Sequence, residues 1–266
     1  MTKVPEPHRR QGPPALHELL AVADEAVDEA VRWLSSAGEE WSATRFKASG
    51  EEVTDADVEV EARVTRILQA RTPEIPVVGE ESATVPDAPL PPCCWLLDPI
   101  DGTMNYTRGA PMYAVSLAYA EEGIPLLGLV HAPTLGRRWS TGPAASSSVT
   151  EAAGPVDQLR RAVVGVSGTG SGSAHTRRFL SRVQDEAYRL RMQGSMALDL
   201  VGVAEGWLDA CVCIEPKPWD VAAGVALCRE RGYAVLGAEG RAFSFDSPVL
   251  VAGDPALALA DLWGGG

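Results

Sequence analysis

The spacing of apolar residues predicts two helices near the start of the chain. Between residues 16 and 34 apolar side chains recur every three or four positions, and Gly38 follows as a stop signal. The positions of this stripe are Leu16, Leu19, Leu20, Ala23, Val27, Ala30, Val31 and Leu34. A second helix is predicted over residues 55–70, because Thr54 is a good N-cap and Asp57 stands at capping-box spacing.

Apolar runs predict the strands of the first half of the chain. The short piece PVV ends close to the acidic pair Glu80 and Glu81, and CCWLL is typical of a buried strand that delivers Asp98 at its end. AVSLAYA and IPLLGLVHA are separated by the turn residues EEG and predict two strands joined by a short turn.

The pattern changes after GPAASSSVTEAAGP, which we interpret as a subdomain boundary. Strands are predicted in AVVGVSG, RLRMQG, WLDACVCI, YAVLGAEG and PVLVAG, and helices over residues 174–186, through MALDLVGVAEG, and over residues 221–231. We therefore expect a flexible tail at 1–14, an N-terminal α+β subdomain at 15–150 and a C-terminal α/β subdomain at 151–266. The fold class is mixed α and β, with helices layered against sheets.

Composition and charge argue against several classes of protein. The 266 residues are 45% hydrophobic, which suffices for a sizeable core. A net charge of −13 argues against a surface built to bind nucleic acid or anionic lipid. The first residues lack the apolar region of a signal peptide, and no apolar run approaches the length of a membrane span. We expect no nucleic-acid or membrane partner, and metal cations if the substrate is anionic.

Cysteine and histidine usage favours a reduced, cytoplasmic protein without a zinc site. The five cysteines are odd in number, and Cys93 with Cys94 and Cys211 with Cys213 are too close in sequence for ordinary bridging. The histidines are scattered through the chain and lack the spacing of zinc ligands.

The stretch DPIDGTMNY carries the main candidate chemistry. Pro99 restricts the backbone, so we expect Asp98 at a strand end and Asp101 on the following turn, with both carboxylates facing one point. Gly102 and Thr103 would then open a helix whose N–H groups bind an anion. Carboxylates beside an anion site suit Mg²⁺. The alternative for these residues alone is an Asx-type turn with solvated acids.

The longer stretch WLLDPIDGTMNYTR resembles the first signature of the inositol monophosphatase family, W-x-x-D-P-x-D-G-T-x-N-F/Y. Three more motifs match in the family's order, EVTDAD at 52–57, GEES at 79–82 and PWDVAAG at 218–224. The resemblance runs from about Leu16 to the C-terminal region. It implies the layered αβαβα sandwich of that family and a phosphate monoester hydrolase.

The resemblance also implies a metal site. Glu80, Asp98, the Ile100 carbonyl and Asp101 match the family's ligands for a first ion, and Asp98, Asp101 and Asp220 match those for a second. We therefore expect Mg²⁺ as cofactor, with two or three ions. The stretch between Lys47 and Asp57 is shorter than in many relatives, which leaves the third ion open. Taken alone, Asp220 could be only a helix N-terminal acid.

The catalytic and substrate residues follow from the same resemblance. Glu80 and Thr103 would orient the attacking water, with Asp57 hydrogen-bonded to Thr103; alone, Asp57 could be only part of a helix cap. The predicted substrate-binding residues are Ile100, Asp101, Gly102, Thr103, Gly194, Ser195, Met196, Cys213 and Asp220.

Two departures from the family pattern concern the substrate. Cys213 stands where relatives that act on inositol phosphates have a glutamate for the ring hydroxyls, and a thiol does not replace its charge-assisted hydrogen bonds. Glu215 could reach the pocket instead, or Cys213 could simply pack in its strand. Met196 stands where alanine is usual and would narrow the leaving-group pocket unless it turns away.

The predicted partner is a small phosphorylated metabolite, inositol 1-phosphate or a related polyol or sugar phosphate. Histidinol phosphate, fructose 1,6-bisphosphate and nucleotide 3′-phosphates remain alternatives, because similar chains hydrolyse them. A regulatory protein associated with RNA polymerase is an alternative from another class, against which the intact metal ligands and the negative charge count. The resemblance further implies a homodimer and inhibition by lithium.

Overall fold

The computed structural model describes residues 14–38, 41, 43–47, 52–83, 89–142, 156–168, 174–257, 259 and 262. Within these ranges, no helix combines the length and the hydrophobicity that crossing a bilayer requires. The predicted tail, apart from Pro14, and the predicted boundary between residues 150 and 151 lie outside the described residues.

The predicted helices are present, with small shifts at their ends. The helices in the described residues are α1 Leu16–Ser36, α2 Asp55–Arg71, α3 Thr103–Thr107, α4 Ala174–Glu186, α5 Met196–Ala204 and α6 Pro218–Glu230. Thr54 caps α2 as predicted, with Asp57 completing the capping box. α6 begins before the predicted Val221, because Pro218 fits the first turn of a helix. Leu16, predicted to face the core, is 46% exposed.

The strands form two large sheets and a small hairpin. The strands are β1 Thr44–Phe46, β2 Glu52–Thr54, β3 Val77–Gly79, β4 Cys93–Asp101, β5 Ala114–Glu121, β6 Ile124–Ala132, β7 Arg137–Ser140, β8 Val163–Ser167, β9 Arg189–Arg191, β10 Ala210–Ile214, β11 Ala234–Leu236 and β12 Val249–Gly253. The first sheet has the order β3-β4-β5-β6-β7, and the second has the order β11-β12-β10-β8-β9. β1 pairs with β2, and this hairpin and β7 are absent from the sequence-based prediction.

Successive side chains along a strand point to opposite faces of its sheet, and each face packs against a different layer of helices. In β4, Trp95 and Leu97 pack with α1 and α2 on the outer face of the first sheet, whereas Cys94 and Leu96 pack with α5 and α6 on its inner face. The second sheet covers the other side of α5 and α6, and Phe179 of α4 packs on its outer face. Both faces of each sheet are therefore covered by helices. This is the predicted αβαβα sandwich.

β4 contains a β-bulge between Asp98 and Asp101, and this bulge places Asp101 differently from the prediction. Asp98 pairs with Ser116 and Asp101 pairs with Ala114, so two residues of β4 lie opposite the single Val115 of β5. In a regular strand, residues three apart point to opposite faces. The bulge restores the parity and places Asp98 and Asp101 on the same face of the sheet. Asp101 is thus the last residue of β4, although the turn prediction placed it beyond the strand.

Candidate active site

Three carboxylates meet where β3, β4 and α6 converge. Glu80, Asp98 and Asp220 each offer one carboxylate oxygen, and these oxygens lie within 4.8 Å of one another. Glu80 directly follows β3, and its N–H donates to the Leu97 carbonyl at 3.1 Å. Asp220 lies in the first turn of α6 and accepts a hydrogen bond from the Lys217 N–H at 2.8 Å. The cluster thus joins the first sheet to the central helix layer.

The approach of α6 to the first sheet depends on one glycine. A Cβ atom at Gly128 of β6 would lie 2.2 Å from the carbonyl oxygen of Ala223 in α6. No larger residue fits at that distance. Ser116 of β5, which pairs with Asp98, also contacts this helix, with its hydroxyl 3.5 Å from the Trp219 carbonyl oxygen. The small residues at this contact bring the first turn of α6, and with it Asp220, beside Asp98.

The electrostatics of the cluster call for a cation. Burial, together with the neighbouring Glu80, Asp101 and Asp220 carboxylates, raises the pKa of Asp98 well above its ordinary value. Like charges this close are stable together only if they are protonated or share a positive ion. Clustered carboxylate oxygens are hard ligands of the kind that Mg²⁺ prefers. The residues present therefore fit the metal that the sequence predicts.

The backbone around Asp98 forms an Asx turn inside the site. The Ile100 N–H donates to Oδ1 of Asp98 at 3.0 Å, and the Ile100 carbonyl oxygen accepts from the Thr103 hydroxyl at 3.0 Å. The Asx turn of the simpler alternative for DPID is therefore present, but Asp98 and Asp101 are buried and not solvated as that alternative expected. The turn orients the Asp98 carboxylate and leaves the predicted carbonyl ligand next to Thr103.

Thr103 and Asp57 are in contact, as expected. The Thr103 hydroxyl lies 3.0 Å from Oδ1 of Asp57. The other carboxylate oxygen of Asp57 accepts from the Thr54 N–H at 2.7 Å, so Asp57 caps α2 and contacts the site at the same time. Burial raises the pKa of Asp57, and the hydrogen bonds from Thr54 and Thr103 oppose that shift.

Asp101 directs its carboxylate toward the start of α5. It accepts hydrogen bonds from the Ser195 hydroxyl, from the Met196 N–H at 3.1 Å and from the Ala197 N–H at 3.0 Å. Burial raises its pKa to about 7, against the effect of these donors. The structure therefore brings the predicted leaving-group segment to the site through Asp101. Among the described residues, Asp101 lies beside the three-carboxylate cluster and is not one of its members.

Lys47 is a site residue that motif reasoning did not assign. Its ammonium nitrogen lies 2.6 Å from Oε1 of Glu80 and 2.7 Å from Oε1 of Glu81. Burial lowers the pKa of Lys47, but the Glu80 and Glu81 carboxylates raise it by more. The composition of the chain could have drawn attention to Lys47, because lysine occurs only at positions 3, 47 and 217. Arginine supplies the other positively charged side chains. Lys47 lies at the acidic cluster, and the backbone N–H of Lys217 donates to Asp220.

Glu61 also escaped the sequence-based prediction. Its buried carboxylate accepts from the Glu81 N–H at 2.8 Å. A Cβ atom at Gly79 would lie 2.4 Å from the Glu61 carboxylate, so a larger residue there would displace this carboxylate. This contact fixes the turn that carries Glu80, and no local motif identifies it.

Cys213 is packed in the core. It has no exposed surface, and it faces α5 and α6 together with Cys211. A hydrogen bond with the Cys211 thiol and burial both raise its pKa. The Met196 methyl group lies near Gly168, so this side chain turns toward the second sheet.

Glu215 lies in the loop between β10 and α6. It is exposed, has a φ of 52°, and lines a groove of about 870 Å³ that also contains Lys217, Arg229 and Phe243. The lining of this groove does not include the three clustered carboxylates. The structure thus separates Glu215 from the position of Cys213, which lies within the core.

Known proteins resemble this chain over nearly its full length. The model of the inositol monophosphatase family matches residues 14–263. "Inositol-1-monophosphatase ImpA" from Mycolicibacterium smegmatis is 34% identical over 257 residues, covering 92% of this chain and 91% of that protein. "Nus factor SuhB" from Vibrio cholerae is 29% identical and covers 90% of this chain and 92% of its own.

A solved structure agrees with the same assignment. The extragenic suppressor protein SuhB from Bartonella henselae superposes with a TM-score of 0.80 at 25% identity, over 93% of this chain and 99% of that one. The family match over residues 14–263 covers the motifs that form the site, and the Mycolicibacterium smegmatis relative is 34% identical over 92% of this chain. The chain belongs to the inositol monophosphatase family, whose members are phosphoric monoester hydrolases.

Proposed function

We propose that this protein is a Mg²⁺-dependent hydrolase of a small phosphorylated metabolite, either inositol 1-phosphate or a related polyol or sugar phosphate. The observation that carries the proposal is the group of Glu80, Asp98 and Asp220, in which Asp98 is buried and the other two are half-buried, beside the Thr103–Asp57 contact. A relative from Thermotoga maritima, 32% identical over 195 residues, is named "Fructose-1,6-bisphosphatase/inositol-1-monophosphatase", which supports this substrate range.

The chain's own ligands for Mg²⁺ would be Glu80, Asp98, Asp220 and the Ile100 carbonyl, with Asp101 next to them. The mutual approach of three carboxylates supports a metal site, and the family resemblance implies two ions there. A third ion would have to compete with Lys47 at Glu80 and Glu81. When bound, Mg²⁺ lowers the pKa of a water molecule and neutralises charge on the phosphate.

Thr103 and Glu80 would orient the attacking water. The Thr103 hydroxyl has one hydrogen, which it donates to Asp57 or to the Ile100 carbonyl. Its lone pairs are therefore left to accept a hydrogen bond from water. Asp57 is buried and also held by Thr54, so it fixes the direction of the Thr103 hydroxyl. Glu80 would accept the second hydrogen of the water molecule.

Substrate binding would divide between the two halves of the site. The N–H groups of Gly102 and Thr103 would bind the phosphate, and Gly194, Ser195 and Met196 would contact the leaving group. Water attack on phosphorus breaks the bond to the ester oxygen, and the leaving alcohol takes up a proton. Because Cys213 is buried in the core, we propose no contact between its thiol and the substrate.

A phosphate-release screen over a panel of phosphorylated metabolites with Mg²⁺ tests the proposed function. We expect turnover of inositol 1-phosphate or of another polyol or sugar phosphate, and no turnover when a chelator removes the metal. Absence of phosphate release from every member of the panel would contradict it. Co-purification with RNA polymerase that survives Asp98→Asn would instead favour the regulatory role suggested by the name of the Vibrio cholerae relative.

The proposal includes a cytoplasmic homodimer. All five cysteines are free thiols in the structure, which agrees with a reducing compartment. The dimer is expected from the family resemblance, and the molecular mass of the protein in solution tests it.

A further inference from the structure

Asn105 stands out in the composition of this chain. It is the only asparagine among 266 residues, whereas aspartate and glutamate together number 36. Asparagine and aspartate have the same shape, but only the amide carries N–H donors. A chain that otherwise uses no asparagine has one in the middle of DGTMNY, two positions after Thr103.

The side chain of Asn105 uses both of its N–H donors. Its amide nitrogen lies 2.6 Å from the carbonyl oxygen of Met112 and 2.7 Å from the carbonyl oxygen of Gln193. Carbonyl oxygens only accept hydrogen bonds, so the group facing them must be the NH₂. An aspartate in this position would place a carboxylate against two carbonyl oxygens and would repel both.

The three backbone segments around this amide pass unusually close to one another. A Cβ atom at Gly194 would lie 3.1 Å from the Asn105 amide nitrogen. A Cβ atom at Gly102 would lie 2.9 Å from the Met112 carbonyl oxygen and 3.1 Å from the Gly194 carbonyl oxygen. Both glycines also have positive φ values, of 93° and 78° for Gly102 and Gly194. The phosphate turn and the leaving-group segment are therefore held almost in backbone contact.

The Asn105 amide attaches the leaving-group segment to the first half of the chain across 88 sequence positions. The Asp101 carboxylate provides a second attachment, because it binds the next residues, Ser195 and Met196. Asn105 holds the carbonyl side of the segment, and Asp101 holds its N–H side. Two groups from one short stretch of sequence thus fix the segment from both ends.

We propose that Asn105 is a positioning residue that sets the distance between the bound phosphate and its leaving group. It does so by holding Gly102 and Thr103 against the segment from Gln193 to Met196. The inference rests on the proposed function, which assigns phosphate to the first of these elements and the leaving group to the second. A purely structural amide would change stability alone, whereas a positioning residue changes turnover, because small misplacements of reacting groups are costly.

Asn105→Leu tests the proposal, because leucine keeps a similar shape and removes both donors. We expect kcat to fall by about 10-fold to 100-fold, since the leaving group is no longer held in line. KM and the inhibition constant of inorganic phosphate, which has no leaving group, should stay within about threefold of the wild-type values. Amide hydrogen exchange in the peptide containing Ser195, Met196 and Ala197 should accelerate by about tenfold or more.

Thr134→Val is the matched control. The Thr134 hydroxyl donates to the Pro111 carbonyl at 2.5 Å, so this change removes a side-chain bond to the same loop without touching residue 193. Turnover and hydrogen exchange should both stay within about twofold of wild type, because an exposed bond of this kind contributes little.

Three outcomes would overturn the proposal. The first is an unchanged kcat with a lowered melting temperature, and the second is a loss of phosphate inhibition as large as the loss of turnover. The third is failure of both Asn105→Leu and Asn105→Ala to fold, which would assign Asn105 a structural role alone. If the wild-type protein releases phosphate from no substrate, the proposed function fails, and the exchange measurement still decides whether Asn105 holds the segment.

Discussion

The Thr103 hydroxyl lies 3.0 Å from Oδ1 of Asp57, a residue 46 positions earlier in the chain. Asp57 belongs to the first turn of α2, and Thr103 is the first residue of α3. The contact therefore links a helix cap on the outer layer to the turn that would bind phosphate. It also leaves the lone pairs of the hydroxyl available for a water molecule.

Replacing Thr103 by alanine separates water activation from phosphate binding. The backbone N–H groups remain, so KM should change little, whereas loss of the hydroxyl should reduce kcat by about 100-fold or more. Thr103→Ser keeps the hydroxyl and should retain most of the activity. Steady-state kinetics with Mg²⁺ checks this. A change confined to KM, or lost thermal stability with activity intact, would contradict the assigned role.

The metal-free protein should lose stability as the pH rises. Burial raises the pKa of Asp101 and of Glu81 to about 7, above their ordinary values of 3.8 and 4.5. At pH values between the ordinary pKa and the raised pKa, the folded state keeps protons that the unfolded state has released. The free energy of unfolding therefore declines as pH increases. In a chelator, Tm should be lower near pH 8 than near pH 5 by about 3 to 8 °C.

Added Mg²⁺ should reverse that pH dependence, because a cation binds the ionised carboxylates and stabilises the folded state. Glu81→Gln removes one of the two groups and should show a smaller fall in Tm with chelator. Thermal melts at several pH values, with and without Mg²⁺, measure both effects. A metal-free protein whose Tm rises steadily across this range would contradict the electrostatic account.

Lys47 should compete with the metal for Glu80. Its ammonium group contacts Glu80 and Glu81, so Lys47→Met removes a positive charge from the place where a cation would bind. We expect the Mg²⁺ dissociation constant, measured by calorimetry, to fall about fivefold to tenfold. The metal-free variant should melt at a lower temperature. Lys47→Arg keeps the charge and serves as the control; weaker Mg²⁺ binding by Lys47→Met would contradict this role.

Helix periodicity and buried apolar runs predict most of the fold, because the local sequence pattern agrees with the element that forms there. α4 is found over the predicted residues, and β10 is found within WLDACVCI, where both faces of the strand are buried. β7 escapes prediction because Arg137 and Arg138 interrupt any apolar pattern, and its pairing with β6 is decided by tertiary contact. The β1–β2 hairpin is short and has no apolar alternation.

The site shows the same division between local and long-range information. The motifs correctly indicate that Glu80, Asp98 and Asp220 come together, because each has a recognisable local context. The contact between Asp101 and Ser195 spans 94 positions and depends on a bulge that shifts the register of β4. No pattern in the sequence predicts this register shift, so only the structure shows where the Asp101 carboxylate lies.

Cys213 illustrates a substitution whose meaning depends on burial. Because its side chain has no exposed surface, Cys213→Glu would bury a carboxylate and should lower Tm by about 5 °C or more. The ratio of turnover on inositol 1-phosphate to turnover on a phosphate without a polyol should stay within about twofold. A tenfold rise in that ratio would show that position 213 does reach the substrate. Glu215→Ala, measured in parallel, tests the exposed alternative.

The central claim is that Asp98 and its neighbours hold the catalytic cations. Asp98→Asn replaces a carboxylate by a neutral amide, a poor ligand for a hard dication. Asp185→Asn is the matched control, because this substitution removes the same charge at an exposed position on α4. The decisive measurement is phosphate release with Mg²⁺ by these two variants and the wild type. We predict background release by a folded Asp98→Asn protein and normal release by Asp185→Asn; normal release by Asp98→Asn would contradict the account.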